Sequence, residues 1–141
     1  EKWKIIYFTG LFDGEGTIYF SKNKIFSKKW NKTYERINPI IIISNTNKKL
    51  IYWLKKNFGG SIHYKKLNFR KDSYRWYSSG NNLKLIKKCL PYLIIKKENA
   101  KLYIKYYQTL SQGKKLSKKN LKIREYILKK SHELNRKGKK L

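Results

Sequence analysis

The stretch "TGLFDGEGTIYF", Thr9 to Phe20, joins a helical period to a period of two across the glycines Gly14 and Gly16. Upstream, "KIIYFTGLFD" (residues 4–13) repeats apolar side chains at helical spacing, with Ile5, Phe8 and Phe12 forming a stripe suited to a core. A second stripe, Ile6, Thr9, Gly10 and Asp13, is mostly small, and small residues let another backbone approach closely. Glycine tolerates the conformations that end helices, so the helix is expected to stop at Gly14 or Gly16. From Thr17 the pattern changes. Thr17, Tyr19, Ser21 and Asn23 alternate with Ile18, Phe20 and Lys22, the signature of a half-buried strand. Two acids, Asp13 and Glu15, sit at this junction in a chain with 8 Asp+Glu against 36 Lys+Arg.

That imbalance bounds the partners. A formal net charge of +28 opposes compaction by self-repulsion, so a polyanion is the natural partner, nucleic acid first among them. With 40% hydrophobic residues and 12 Tyr, 6 Phe and 4 Trp, the chain is not a disordered polycation. An anionic membrane surface would call for a basic amphipathic helix or a lipidation signal. The longest aliphatic run, Ile40 to Ile43, is far too short to span a bilayer, and no signal-peptide pattern opens the chain, so an intracellular protein without a membrane partner is expected. Val and Met are absent while Lys, Ile, Asn and Tyr dominate, which suggests A+T-rich codons, as in an archaeal cytoplasm or an organelle. The single Cys89 excludes a disulfide within the chain and reads as a small buried apolar residue. With one Cys and only His63 and His132, a zinc finger lacks its ligands and the scarcity of His counts against a His-based nuclease centre, so oxygen ligands are expected for any metal.

At 141 residues the chain suits one domain, 1–141, with a core over 1–110, a linker at Gly113 and a basic helical extension over 114–141. "SKKWNKTYE" (27–35) reads as a loop. "RINPIIIIS" (36–44) reads as a second strand with Arg36, Asn38, Ile40, Ile42 and Ser44 on one side, and Pro39 favours an edge or a bulge. "NTNKKLIYWLKKNF" (45–58) is a helix with Leu50, Trp53, Leu54 and Phe58 inward, capped by Asn45 or Asn47 and ended by Gly59–Gly60. "SIHYKKLNF" (61–69) and "SYRWYSS" (73–79) form a hairpin around Arg70–Asp72. Ser73, Arg75 and Tyr77 oppose Tyr74 and Trp76, and Ser61, His63 and Lys65 share a face unless the register slips by one. Helices follow: "NNLKLIKKCL", a break at Pro91, "KENAKLYIKYYQTL", and "SKKNLKIREYILKKSHEL" with Leu121, Leu128 and Leu134 packing on the domain. The order is α-β-β-α-β-β-α and then C-terminal helices, an α+β pattern. The strands carry a polar, basic face that is costly to bury in protein but able to lie against DNA.

"FTGLFDGEG", Phe8 to Gly16, resembles the signature of the LAGLIDADG homing endonucleases. "IISNTNKKLIYWLKKNFGG" is similar to that family's second helix and glycine turn, and "LPYLIIKKENA" to its later Pro-containing segment with an active-site lysine. The resemblance implies a curved antiparallel DNA-binding sheet and a site-specific endonuclease, intron-encoded, making double-strand breaks in a long pseudo-palindromic DNA target. It implies that Ile6, Thr9 and Gly10 lie where two signature helices pack across a twofold axis, and that Asp13 is structural at the helix end. Glu15 falls at the metal-ligand position, assisted by the carbonyl of Gly14; Asn45 falls near a metal-bound water, and Lys96 at the lysine that polarises the site. Thr17, Tyr19, Ser21, Asn23, Arg36, Asn38, Ser44, His63, Lys65, Ser73, Arg75 and Tyr77 would face DNA. With one copy of the signature, the implied form is a homodimer using Mg²⁺, with Mn²⁺ as a substitute. The chain departs from the pattern at Thr9, usually Ala, and at Glu15, more commonly Asp. The alternatives on the same fold are an intron-RNA-binding splicing maturase and a non-catalytic DNA-binding protein.

Overall fold

Helix α1 (Lys2–Glu15) stops where the glycine spacing predicts: Gly16 turns to extended backbone and sends its N–H to the Phe12 carbonyl. A side chain at Gly16 would collide with the Phe12 ring, so the chain can leave the helix and enter the sheet at once. The structure is a computed structural model that describes residues 1–66, 68, 71–110 and 116–137. After α1 come β1 (Gly16–Ser27), β2 (Lys32–Asn45), α2 (Lys48–Phe58), β3 (Ser61–Lys65) and β4 (Ser73–Ser78). Helix α3 (Leu83–Cys89), a 3-10 turn over Leu90–Tyr92, α4 (Lys97–Gln108) and α5 (Lys118–Lys137) complete an α+β fold. The rest of the expected β3 at Leu67 and Phe69, the turn at Arg70, the Gly113 linker and residues 114–115 and 138–141 of the expected extension lie outside the described residues.

The four strands pair antiparallel in the order β1-β2-β4-β3. One sheet face is apolar: Ile18, Phe20, Ile41, Ile43 and Trp76 pack with Phe8 and Phe12 of α1, Ile51 and Leu54 of α2, and Ile86 and Cys89 of α3. Ala100 and Tyr103 of α4 and Ile127 of α5 close the same core. Trp76 is held at both ends, with its ring edge-on to Phe8 at 5.9 Å and its Nε1–H donated to the Gly59 carbonyl at 2.8 Å. Asn47, not Asn45, caps α2 by accepting the Leu50 N–H at 3.3 Å. On α2, Ile51 and Leu54 are fully buried while Leu50, Trp53 and Phe58 are half-buried, so the inward stripe is rotated toward Ile51. Pro39 lies in the part of β2 whose neighbour is β1, since β4 pairs with β2 over Ile41–Asn45.

Two expectations are corrected. "SKKWNKTYE" is not a loop throughout: β1 and β2 stay paired out to Ser27↔Lys32 and reverse over 28–31, where Asn31 takes φ 47°. Both faces of this outer ribbon meet solvent, so it lacks the apolar alternation that marks a half-buried strand. The second correction concerns α5. Its buried stripe runs Ile123, Ile127, Ser131, Leu134, and Leu121 is 48% exposed, about 200° round the helix from Ile123. Leu128 and Leu134 do pack on the core. Helix α5 is pinned by Arg124 Nε donating to Thr109 Oγ1 at 2.9 Å and by Asn135 Nδ2 donating to the Ile18 carbonyl at 3.2 Å. No helix among the described residues is long and apolar enough to cross a membrane.

Cys89 is fully buried, and burial pushes its thiol above the usual cysteine range. Reactivity requires the thiolate. Native protein is therefore expected to resist a maleimide for hours and to label at one site on denaturation. Rapid native labelling would contradict this packing.

Candidate active site and nucleic-acid face

A helix C-terminus presents carbonyls without intrahelical donors and a partial negative charge. Helix α1 adds two carboxylates there and has no basic residue in its last turn. Asp13 is buried, and its Oδ1 accepts the N–H groups of Ile95 and Lys96, each at 2.8 Å, while Oδ2 accepts that of Ile94 at 3.1 Å. Charge-assisted bonds of this kind are about twice as strong as neutral ones. They hold the 94–96 bend onto the end of α1, and so place Lys96, the half-buried residue preceding α4, beside the acidic turn.

Glu15 differs in being exposed. Its Oε2 accepts from Asn45 Nδ2 at 2.9 Å, and Asn45 Oδ1 accepts the Asn47 N–H at 2.7 Å. The backbone donor at Asn47 fixes the amide's orientation, so Asn45 presents its NH₂ to Glu15. Asn45 thus ties the end of α1 to the end of β2 and, through its other amide atom, to the start of α2. The other Glu15 oxygen accepts no hydrogen bond among the described residues, and the exposed Gly14 contributes a carbonyl from the last turn. Among the described residues, no three His, Cys, Asp or Glu side chains gather. Of the two carboxylates that α1 carries at this end, only that of Glu15 is exposed.

The outward face of α1 is a stripe of Ile6, Gly10 and Gly14, and a Cβ at either glycine would meet nothing within 4 Å. Trp3 and Tyr7 extend it, their rings against Trp53 of α2 at 6.1 and 5.0 Å. Thr9 does not belong to it. It is 1% exposed, lies beside Cys89 and donates its hydroxyl to the Ile5 carbonyl at 2.6 Å. The buried stripe Phe8, Thr9, Phe12, Asp13 turns it into the chain's own core, out of reach of a second helix.

Directly paired residues of antiparallel strands share a sheet face. The register links Thr17 to Ile42 and Ile42 to Tyr77, and Tyr77 to Ser61; it pairs Tyr19 with Ile40, Ser21 with Asn38, and Asn23 with Arg36. It also links Ser44 to Arg75, Arg75 to His63, and Ser73 to Lys65. Every strand residue expected to face DNA therefore shares the face opposite the core. Several are held in place: Arg75 Nε donates to Ser44 Oγ at 3.2 Å, its guanidinium lies 5.9 Å from the Tyr77 ring centre, and His63 meets that ring edge-on at 4.4 Å. The same face continues outward through Ile25·Tyr34 and Ser27·Lys32, of which Ser27, Lys32 and Tyr34 fall in the stretch expected to be a loop.

The chain carries the LAGLIDADG homing endonuclease fold. I-Vdi141I, described as an archaeal intron-encoded homing endonuclease complexed with DNA, matches with a TM-score of 0.69 at 20% identity over 94% of this chain and 84% of its own. The homing endonuclease I-TnaI matches at 0.65 and 22% identity over 96% of both chains. I-SmaMI, bound to an uncleaved DNA target in the presence of calcium ions, matches at 0.63 and 20% identity over 88% of this chain and 43% of its own. No protein-family model matches the sequence, and no curated protein does.

Replacing Asp13 with Ala leaves three N–H groups without their acceptor. Unfolding free energy is expected to fall by about 2–4 kcal/mol, with faster amide exchange at 94–96. Urea denaturation and hydrogen exchange measure both; unchanged values would show that the bonds do not hold the bend.

Proposed function

We propose that this protein is a site-specific DNA endonuclease of the LAGLIDADG family, a homodimer that cuts both strands of a long pseudo-palindromic target with a divalent cation. The observation that carries this is Glu15: an exposed carboxylate, oriented by Asn45, at the end of a helix with a small outward face, where a basic polar sheet begins.

The residues suit a hard cation. Mg²⁺ takes oxygen ligands, one or two carboxylates with water and substrate phosphate making up the rest, and Mn²⁺ accepts the same donors. Glu15 and the Gly14 carbonyl would hold it, at a helix end whose dipole favours positive charge. When bound, such an ion neutralises charge on the phosphate and makes water a better nucleophile. Asn45 keeps Glu15 aimed outward, and Lys96, tied to the same turn through Asp13, supplies positive charge toward the phosphate. A phosphate brought there by the sheet meets both.

Two copies complete what one begins. A twofold axis along the Ile6–Gly10–Gly14 stripe brings two Glu15 turns together, and each sheet then follows the major groove over one half-site. That this chain matches less than half of I-SmaMI accords with a domain that works in pairs. On the sheet, Arg36, Lys65 and Arg75 bond to phosphates and guanine edges, while Thr17, Tyr19, Ser21, Asn23, Asn38, Ser44, His63, Ser73 and Tyr77 supply donors and acceptors. An intron-encoded protein acting inside the cell, in an archaeal cytoplasm or an organelle, goes with this reading.

Cleavage selection from a randomised DNA library in Mg²⁺, with wild type beside Glu15→Gln, tests it. Wild type is expected to enrich a pseudo-palindrome cut on both strands, and Glu15→Gln to bind that site without cutting. Selective binding to DNA or an intron transcript with no cutting by wild type would replace the nuclease with a binding module.

A further inference from the structure

The run Ile40 to Ile43 puts two isoleucines on each face of β2. Ile41 and Ile43 are fully buried among the helices. Ile40 and Ile42 lie on the opposite face and are half-buried, Ile42 between Thr17 and Tyr77, and Ile40 across from Tyr19. Further out on the same face Ile25 pairs with Tyr34, which is 50% exposed. A strand with one solvated face alternates apolar and polar residues, whereas apolar residues in succession mark strands covered on both faces. The buried side chains of α1 to α5 all join the core on the other side. The second face of β2 therefore has the composition of a covered surface.

Its surroundings narrow the cover. Arg36, Asn38, Ser44 and Arg75 share the face, in a chain of net charge +28. The occupant must be anionic in outline and carry small apolar groups within it. Duplex DNA does both, since the C5-methyl of thymine is the apolar group on base edges in the major groove. An isoleucine side chain makes no hydrogen bond, so it cannot read the donors and acceptors beside that methyl. Spacing agrees: two residues along a strand span about 6.8 Å, and two base-pair steps about the same.

We propose that Ile40 and Ile42, with Ile25 and Tyr34 further along the arm, read thymine methyl groups in the major groove of each half-site. The inference rests on the DNA-binding reading of this sheet and adds the chemical group recognised. Thymine then recurs at the target positions facing these side chains.

The test uses the selected target resynthesised with deoxyuridine in place of thymine, which removes methyls and keeps pairing and phosphates. Dissociation constants of wild type are expected to rise about fourfold for each methyl lost against an isoleucine. An Ile40→Ser/Ile42→Ser variant, folded by circular dichroism, is expected to lose the share of that preference due to Ile40 and Ile42 and to keep only what Ile25 and Tyr34 supply. Equal wild-type affinity for both DNAs overturns the inference and leaves the nuclease reading standing. So does an undiminished thymine preference in the variant. Wild type that binds no DNA selectively overturns both.

Discussion

Three backbone N–H groups, those of Ile94, Ile95 and Lys96, converge on the carboxylate of Asp13 at the C-terminal end of α1. A negative side chain at that end works against the helix dipole and is unfavourable alone. The three donors offset that penalty, and in return the acid fixes a bend some eighty residues away in sequence. This closure makes the end of α1 a rigid platform. Without it, Lys96 and the turn before α4 would have no fixed relation to Glu15.

The two acids divide the work by burial. Asp13 has its lone pairs occupied by the chain, whereas Glu15 receives one amide bond from Asn45 and otherwise faces outward. The net charge of +28 does not decide what binds there. Charges beyond about 8 Å are screened at physiological salt, so the sign of the site is set by the carbonyls and carboxylates of the turn itself. The same +28 acts over the larger sheet face, where a polyanion gathers many cations at once. A locally negative point on a broadly basic surface suits the proposed metal-assisted cleavage of a phosphodiester.

Much of this was legible in the residues. The change of period at Gly16, the strand phase from Thr17 to Asn23, and the phase of Arg36 to Ser44 each placed side chains on the face where the register puts them. Alternation is a strong signal when one face is buried and the other is not. It fails where both faces are solvated, which is why the ribbon over 27–35 reads as a loop and Lys32 and Tyr34 escape a pattern-based reading. Helical faces were harder. Thr9 is small enough for either side of α1, and its place in the core depends on Cys89 of α3 lying beside it. Leu121 is apolar but sits off the stripe that α4 and β1 select on α5. The Asp13 bonds to 94–96 join segments that no local pattern connects, so only the fold displays them.

The central claim is that one chain supplies half a site and a second copy, meeting it at Gly10, supplies the rest. Sedimentation of wild type beside Gly10→Arg tests it most directly, because Gly10 is exposed and a Cβ there meets nothing within 4 Å, so the monomer is expected to stay intact. Wild type should sediment at twice 17.1 kDa and cut both strands, while the variant sediments as a folded single chain and does not cut. A wild type that stays monomeric on and off DNA yet breaks both strands would contradict the account.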